Sequence, residues 1–390
     1  MMKLKRSVYL ITALFSLAFL SGNCRPAGEA SESAITSAVI VNPDRPQRGE
    51  WDLEAKKVWE ISNVMGDPLS APMITASDDE IAYVFDRKLS LNLALDRDGK
   101  IIATFGSGGQ GPGEIMNEVF FFPVDDKLVI FGYPNRLHYF QKNGEFIRTE
   151  NIDIQDMPYA FLSENEYISA PPPAIGDSKI KYIHLKTGKK KVLGEIAYDV
   201  PVLPGQPNVI VVMPGLTGLM KLGLDPKNQK IYYGINDRYR LDVMDLQGNA
   251  SHSFSVQRKR RVLSRETKAE VARMHLGGMP AEVINESLKL IPDEITYFHK
   301  IQIEDGLIYV FQDNAGANWD DQPIDIFSLD GKYLYRSVFR PGEGKTIYNS
   351  SNYADIMIIK KGCLYLSLED QKGEISVAKF AISLPVNRKP

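Results

Sequence analysis

The sequence predicts an all-β fold made by repetition, a six-bladed β-propeller, and three observations lead there. A two-part strand unit recurs six times, the sixth copy lacks its last strand, and an early strand is left over to supply it. Units of this size cannot bury both faces alone, so they must stack on one another.

The first part of each unit is an acidic or polar turn followed by an apolar strand. It is seen at Asp78-Asp79-Glu80 before Ile81 to Phe85, Asp125-Asp126 before Leu128 to Phe131, and Glu164-Asn165-Glu166 before Tyr167-Ile168. It returns at Lys227 to Gln229 before Ile231 to Tyr233, Glu304 to Gly306 before Leu307 to Phe311, and Lys360 to Gly362 before Leu364 to Leu366. The second part is a strand, a glycine turn and another strand, with turns at Asp98-Gly99, Asn143-Gly144, Thr187-Gly188, Gln247-Gly248 and Asp330-Gly331. That is the pattern of an antiparallel hairpin. The sixth unit ends in one strand, Glu374 to Ser383, and Leu53 to Ile61 can serve as its outer strand. Closing the ring in this way removes exposed sheet edges. A pair of packed sheets is the alternative architecture, but it gives no reason to repeat one hairpin.

Composition fits a folded body. The chain has 390 residues, 44% hydrophobic and 24% charged, with a formal charge of -3. That balance allows a sizeable core and suggests no nucleic-acid partner.

The N-terminus reads as a targeting segment, residues 1–23. Lys3, Lys5 and Arg6 precede an uncharged run from Val8 to Leu20, short for a bilayer span, and Ser21-Gly22-Asn23-Cys24 follows. Small residues before a cysteine resemble a bacterial lipoprotein signal, in which Cys24 would become the lipidated N-terminus; plain secretion is the alternative. The fit is incomplete, since Leu20 stands four residues before the cysteine where such signals usually place Leu three before, and Asn23 takes the place usual for Gly or Ala. Residues 24–50, small and polar with Pro43 and Pro46, read as a flexible tether, and 51–385 as the propeller. Cys363 then remains in a strand-like run, where a buried thiol is the simple reading.

The stretch from Leu95 to Glu114 joins a hairpin to a glycine-rich corner, Gly106 to Glu114, and Phe327 to Phe339 with Pro341-Gly342-Glu343 is a degraded copy. Asp-Gly-Lys, a short strand, Phe-Gly and then Gly-Gln-Gly-Pro-Gly-Glu resembles the bacterial six-bladed β-propeller proteins of the NHL-repeat-like type, many of them envelope lipoproteins. The resemblance implies the fold. It leaves function open among binding scaffolds and a few metal-dependent lactonases and lyases.

In antiparallel blades with strands A to D, the A–B and C–D turns share one rim, and the B–C and D–A connections share the other. The longer loops collect on the second rim: 201–218, 313–321 and 340–352. Binding residues prefer such loops. A helical insertion, about 264–291, falls between blades four and five. Ser264 can cap a helix to Leu276, and Pro280 can begin a second one to Leu290. The pair would sit over the channel mouth or pack on the outer side of the blades.

Candidate binding residues lie on that rim. Asp86-Arg87, Asn135-Arg136 and Asp237-Arg238 repeat an acid or amide followed by arginine, able to hold carboxylates or sugar hydroxyls, or else to cap turns and pair between blades. Asp313, Asp320 and Asp321 offer hard oxygen ligands that Ca²⁺ or another divalent ion would accept, with Trp319 beside them as a stacking surface and Arg340 nearby; a solvated turn is the other reading. No cofactor is predicted beyond such an ion. A phosphate loop at Pro341 to Thr346 is rejected, because Phe339 stands where the first Walker glycine is needed. The histidines, His138, His184, His252, His275 and His299, have no metal-binding spacing.

The expected function is a non-catalytic binding scaffold at the cell envelope, with a protein or glycan partner and contact with the membrane only through the lipid anchor. The alternative is a metal-dependent lactonase-like hydrolase or lyase with an ion at the central channel.

Overall fold

The computed structural model describes residues 39–77, 79–86, 88–106, 108–109, 111–115, 119–132, 135–171, 179–197, 215–276, 280–290, 292–314, 318–348, 357–383 and 385. Their strands form a six-bladed β-propeller, each blade a sheet of antiparallel strands A to D. Blade one is Pro72–Ala76, Ala82–Asp86, Leu91–Leu95 and Ile101–Thr104; blade two is Val119–Val124, Lys127–Gly132, Arg136–Gln141 and Phe146–Asn151. Blade three is Pro158–Ser163, Glu166–Ser169, Lys179–His184 and Lys189–Glu195; blade four is Met220–Asp225, Lys230–Ile235, Arg240–Asp245 and Ala250–Gln257. Blade five is Phe298–Glu304, Leu307–Gln312, Gln322–Ser328 and Tyr333–Phe339. Blade six takes Met357–Lys360, Cys363–Asp370 and Ile375–Ile382 from the C-terminus and Ala55–Ile61 from the N-terminus. The early strand thus closes the ring as expected, running from Ala55 opposite Ile382 to Ile61 opposite Val377.

The turn chemistry explains the repeat. In blades five and six the A–B turns are two residues with positive φ, Asp305-Gly306 at 50° and 76° and Lys361-Gly362 at 50° and 67°, the geometry that suits the twist of a tight hairpin. The C–D turns instead carry one glycine with positive φ after a register shift, as at Ala94/Leu95 and Val243/Met244. An acid closes two of them: Asp96 accepts from the backbone N–H groups of Asp98 and Lys100 at 2.9 and 2.8 Å, and Asp245 from those of Gln247 and Asn249, both at 2.8 Å.

Glycine is required there for a second reason. A Cβ on Gly99 would lie 2.9 Å from the Trp59 ring, one on Gly144 2.6 Å from the Thr104 carbonyl oxygen, and one on Gly331 2.6 Å from Phe254, each on the outer strand of the preceding blade. The C–D turn of one blade is therefore a contact surface for its neighbour.

Each of the six seams between blades holds its own apolar cluster. A tyrosine on strand B is buried in blades one, three, four, five and six, as Tyr83, Tyr167, Tyr232, Tyr309 and Tyr365. Burying an aromatic or large aliphatic side chain of this kind contributes about 1.5–3 kcal/mol, so the seams hold the ring together.

One boundary needs correction. Residues 39–50 were expected to be tether, yet Val39–Pro43 pairs in parallel with the outer strand of blade four, and Glu50–Trp51 pairs with that of blade five. Asn42 fastens this strap. Its amide donates to the carbonyls of Ser255 at 3.2 Å and Gly331 at 2.9 Å, and its oxygen accepts from Tyr333 N–H at 3.0 Å. The strap therefore bridges two blades.

The helical insertion is present as α1, Arg265–Leu276, and α2, Ala281–Leu290, packed on each other. Ser264 caps α1, accepting from Thr267 N–H at 3.1 Å. A stem leads in and out: Leu263 N–H donates to Asp293 at 2.8 Å and Ile295 N–H to Arg261 at 2.9 Å.

Candidate functional site

The rim that carries the B–C and D–A connections is built around polar side chains where strand B ends. In blade one, the buried Asp86 carboxylate accepts four backbone N–H groups: Ser70 at 2.7 Å, Ala71 at 3.2 Å, Lys88 at 3.0 Å and Leu89 at 3.1 Å. In blade four, Asn236 accepts from Leu219 N–H at 2.7 Å and donates to the Phe298 carbonyl of blade five at 2.8 Å. In blade six, Ser367 donates to the Pro72 carbonyl of blade one at 3.1 Å. Buried polar atoms of this kind must be satisfied, and here they join the rim connections to the start of strand A.

Blade five has the fullest version. Asp313 is buried, and the Thr296 hydroxyl donates to its carboxylate at 2.5 Å. Burial pushes the Asp313 carboxyl up to about 6, with the Thr296 bond acting in the opposite direction. Gly215, at the end of the connection from blade three, accepts from Thr296 N–H at 2.8 Å. Arg261, in the stem of the insertion, donates to the Asp313 carbonyl at 3.2 Å and to Asn314 Oδ1 at 2.8 Å. Asn314 in turn donates to the Asp321 carbonyl at 3.1 Å. Three rim connections are thereby tied to one carboxylate and its neighbour.

His299 lies beside this group on strand A of blade five. Its Nε2 is 3.1 Å from Gln322 Oε1, and its ring is 5.1 Å from that of Trp319. Burial pushes its pKa down to about 3, so the ring is neutral at physiological pH. Trp319 is buried as well, 3% exposed, because Asn318–Trp319 forms a short strand against Lys345–Tyr348 at blade six. The open stacking surface expected of Trp319 is therefore part of the core.

The remaining candidates divide by exposure. Arg238 is 79% exposed and 3.9 Å from Asp237, and Arg340 is 70% exposed and 4.0 Å from Asp321. Asp320 is exposed. Arg136 is half-buried at the start of strand C of blade two, where its charge adds to the burial that holds His138 down to about 4. Among the described residues no three His, Cys, Asp or Glu side chains gather as a metal-holding group; Asp313, Asp320 and Asp321 do not form one. Arg87 and Cys24 lie outside the described residues.

The glycine-rich corner is a close turn. Gly106 and Gly113 have φ of 61° and 76°, and a Cβ on them would meet Ile115 at 2.8 Å and Phe146 at 2.9 Å. Glu114 folds back to accept from Gly111 N–H at 2.7 Å, placing the corner's own carboxylate where an anion would sit. Positive φ in a tight interblade connection accounts for this motif.

Sequence reasoning missed Asp325. Fully buried in strand C of blade five, it accepts from Arg258 at 2.7 Å, Arg336 at 3.3 Å and Gln312 at 3.0 Å, as well as from the hydroxyls of Tyr239 and Tyr333. Asp44 of the strap binds the same two arginines at 2.5 and 2.8 Å. The signal was available in Ile324-Asp325-Ile326, a charge inside an otherwise apolar strand.

These features define a six-bladed propeller whose loop-bearing rim is fastened by buried polar residues. Among solved structures, the chain is similar to a member of the DUF4221 family from Bacteroides vulgatus, with a TM-score of 0.51 and 12% identity over 85% of this chain and 98% of that one. It is also similar to a protein from Bacteroides fragilis inferred to be exported, with a TM-score of 0.53 and 11% identity over 89% and 99%. At such identity the likeness is one of fold. No family model and no curated protein matches the chain.

Proposed function

We propose that the protein is a non-catalytic binding scaffold of the bacterial cell envelope that presents its loop-bearing rim to a protein or glycan partner. One observation carries this reading. The buried polar groups of the rim, Asp86, Asn236 and Asp313, are engaged in fastening the scaffold, while Arg238, Arg340 and Asp320 project over it into solvent. Exposed arginines on a rigid frame suit recognition of carboxylates or sugar hydroxyls. The envelope location rests on the N-terminal targeting pattern and Cys24.

Crosslinking in envelope fractions tests the reading, with an Arg238→Glu/Arg340→Glu variant as comparison. Native protein should capture a defined partner that the variant loses; equal capture by both refutes the role of this rim. Cys24→Ala should release the protein from membranes and change its mass, and no change in either would rule out lipidation.

A second reading, a metal-dependent lactonase-like hydrolase or lyase, is favoured by one feature. The Asp313 carboxyl, pushed up to about 6 beneath the rim, lies in the range useful for proton transfer. Metal analysis of purified protein separates the two, since one tightly held ion per chain would reverse their order.

A further inference from the structure

On the opposite rim, between the lower ends of blades three and four, lies a cleft of about 440 Å³, within the usual range for small-molecule sites. One wall is a row across blade three formed by Glu166, Tyr182, Lys189 and Lys191; the other is formed by Gln229 and Gln247 in two turns of blade four. Leu162 and Leu246 add an apolar lining.

Strand geometry explains the row. Side chains alternate along a strand, so Lys189 and Lys191 share one face while Lys190 points to the other. Lys190 accordingly pairs with Asp156, and Tyr182 sits opposite Lys191 in the ladder. The run Lys189 to Lys191 thus sends two ammonium groups to the cleft. Lys191 donates to the Gln247 carbonyl at 2.8 Å, which holds the two blades together at its edge. Glu166 accepts from the Tyr182 hydroxyl and from Ser163 at 3.0 Å, and the Tyr182 bond is the main cause of its lowered pKa. The lining therefore carries two cations, one carboxylate and two carboxamides.

At the seam before it, between blades two and three, the matching place is closed. There Tyr139 sits opposite Arg148, as Tyr182 sits opposite Lys191, but the guanidinium lies 3.7 Å from the Tyr139 ring centroid. It also pairs with Glu150 and Glu164 at 2.8 and 2.7 Å, so that place is filled by the protein's own charges.

We propose that the cleft between blades three and four binds an anionic sugar, with its acidic group on Lys189 and Lys191 and its hydroxyls on Glu166, Gln229 and Gln247. The C–H faces of the ring lie against Leu162 and Leu246. This site is on the rim opposite Arg238 and Arg340, and the proposal stands whether or not that rim binds a partner.

Calorimetric titration of the full chain with glucuronate, glucose 6-phosphate, glucose and acetate tests it. Saturable binding of either acidic sugar is expected, with glucose and acetate each weaker by about tenfold or more, as for loss of the two charge-assisted bonds or of the hydroxyl set. Lys189→Ala and Gln229→Ala should each weaken the acidic sugar by about threefold to tenfold while keeping the native unfolding midpoint. No saturable binding at millimolar sugar, acetate binding as well as glucuronate, or unchanged affinity in both variants would each overturn the proposal.

Discussion

Replacing Gly331 with alanine isolates the contact that seats one blade on the next. Gly331 has a φ of 87°, and a methyl group there would lie 2.6 Å from Cδ1 of Phe254. A left-handed conformation costs a residue with a Cβ about 1–2 kcal/mol, and crowding a packed site adds about 1–3 kcal/mol, so Gly331→Ala should lose about 2–5 kcal/mol. Gly188 is the internal control. Its φ is 65° but nothing lies within 4 Å of the added Cβ, so Gly188→Ala should lose only the conformational part, about 1–2 kcal/mol. Gly144→Ala should resemble Gly331→Ala, because the obstacle is a backbone oxygen that cannot rotate away. Urea unfolding followed by tryptophan fluorescence measures all three, with stability read from the midpoints at a common slope. Equal losses at Gly188 and Gly331 would refute the claim that these turns act as blade contacts.

The other predictions concern buried polar groups. Asp325→Ala removes the buried partner of the Arg258 and Arg336 guanidiniums, leaving them only the half-exposed Asp44, and leaves the Tyr239 and Tyr333 hydroxyls without their acceptor, so it should cost about 3–5 kcal/mol in the same assay; a loss below about 1 kcal/mol would show that the network contributes little. Asn42→Ala removes three hydrogen bonds of the strap and should accelerate amide exchange at Tyr333, while Tyr83 in blade one keeps its protection. Asp313 has a folded pKa raised to about 6 from 3.8, so its contribution is full below about pH 4 and is lost as pH rises toward 6. Asp313→Asn should therefore match the native protein near pH 4 and exceed it by about 3 kcal/mol at pH 7, at 1.36 kcal/mol per unit; an equal offset at both pH values would contradict the shift.

What could be read from the sequence depended on how local the cause was. The C–D glycines and the Ser264 cap each carry their reason within a few residues, and the Leu53 to Ile61 strand was legible because the sixth repeat left one place open for it; the structure places them accordingly. The strap was not legible, because Val39–Pro43 adds a fifth strand to a blade that the repeat already completes, and Pro43 and Pro46 have the character of a linker. Trp319 and Asp313 failed for a related reason. Their loop looks polar and open, but Trp319 is buried by pairing with Ile347, and Asp313 turns inward to Thr296. A loop's polarity predicts where its backbone runs and leaves open which side chains the neighbouring blade will bury.

The strap also separates the ring's stability from the chemistry of its rims. It adds strands to the outer edges of blades four and five, and the same segment continues into the closing strand of blade six, so half of the blades share one N-terminal fastening. Its hydrogen bonds go to strand edges and to C–D turn atoms such as the Gly331 carbonyl, while Arg238 and Arg340 on the other rim remain exposed. Because the ring is fastened from outside, residues on the loop-bearing rim can change without loosening it, provided that Asp86, Asn236 and Asp313 keep the connections in place. Under the proposed function, recognition would then be set at exposed positions of the rim, while the buried residues that support them are held by the packing of the blades.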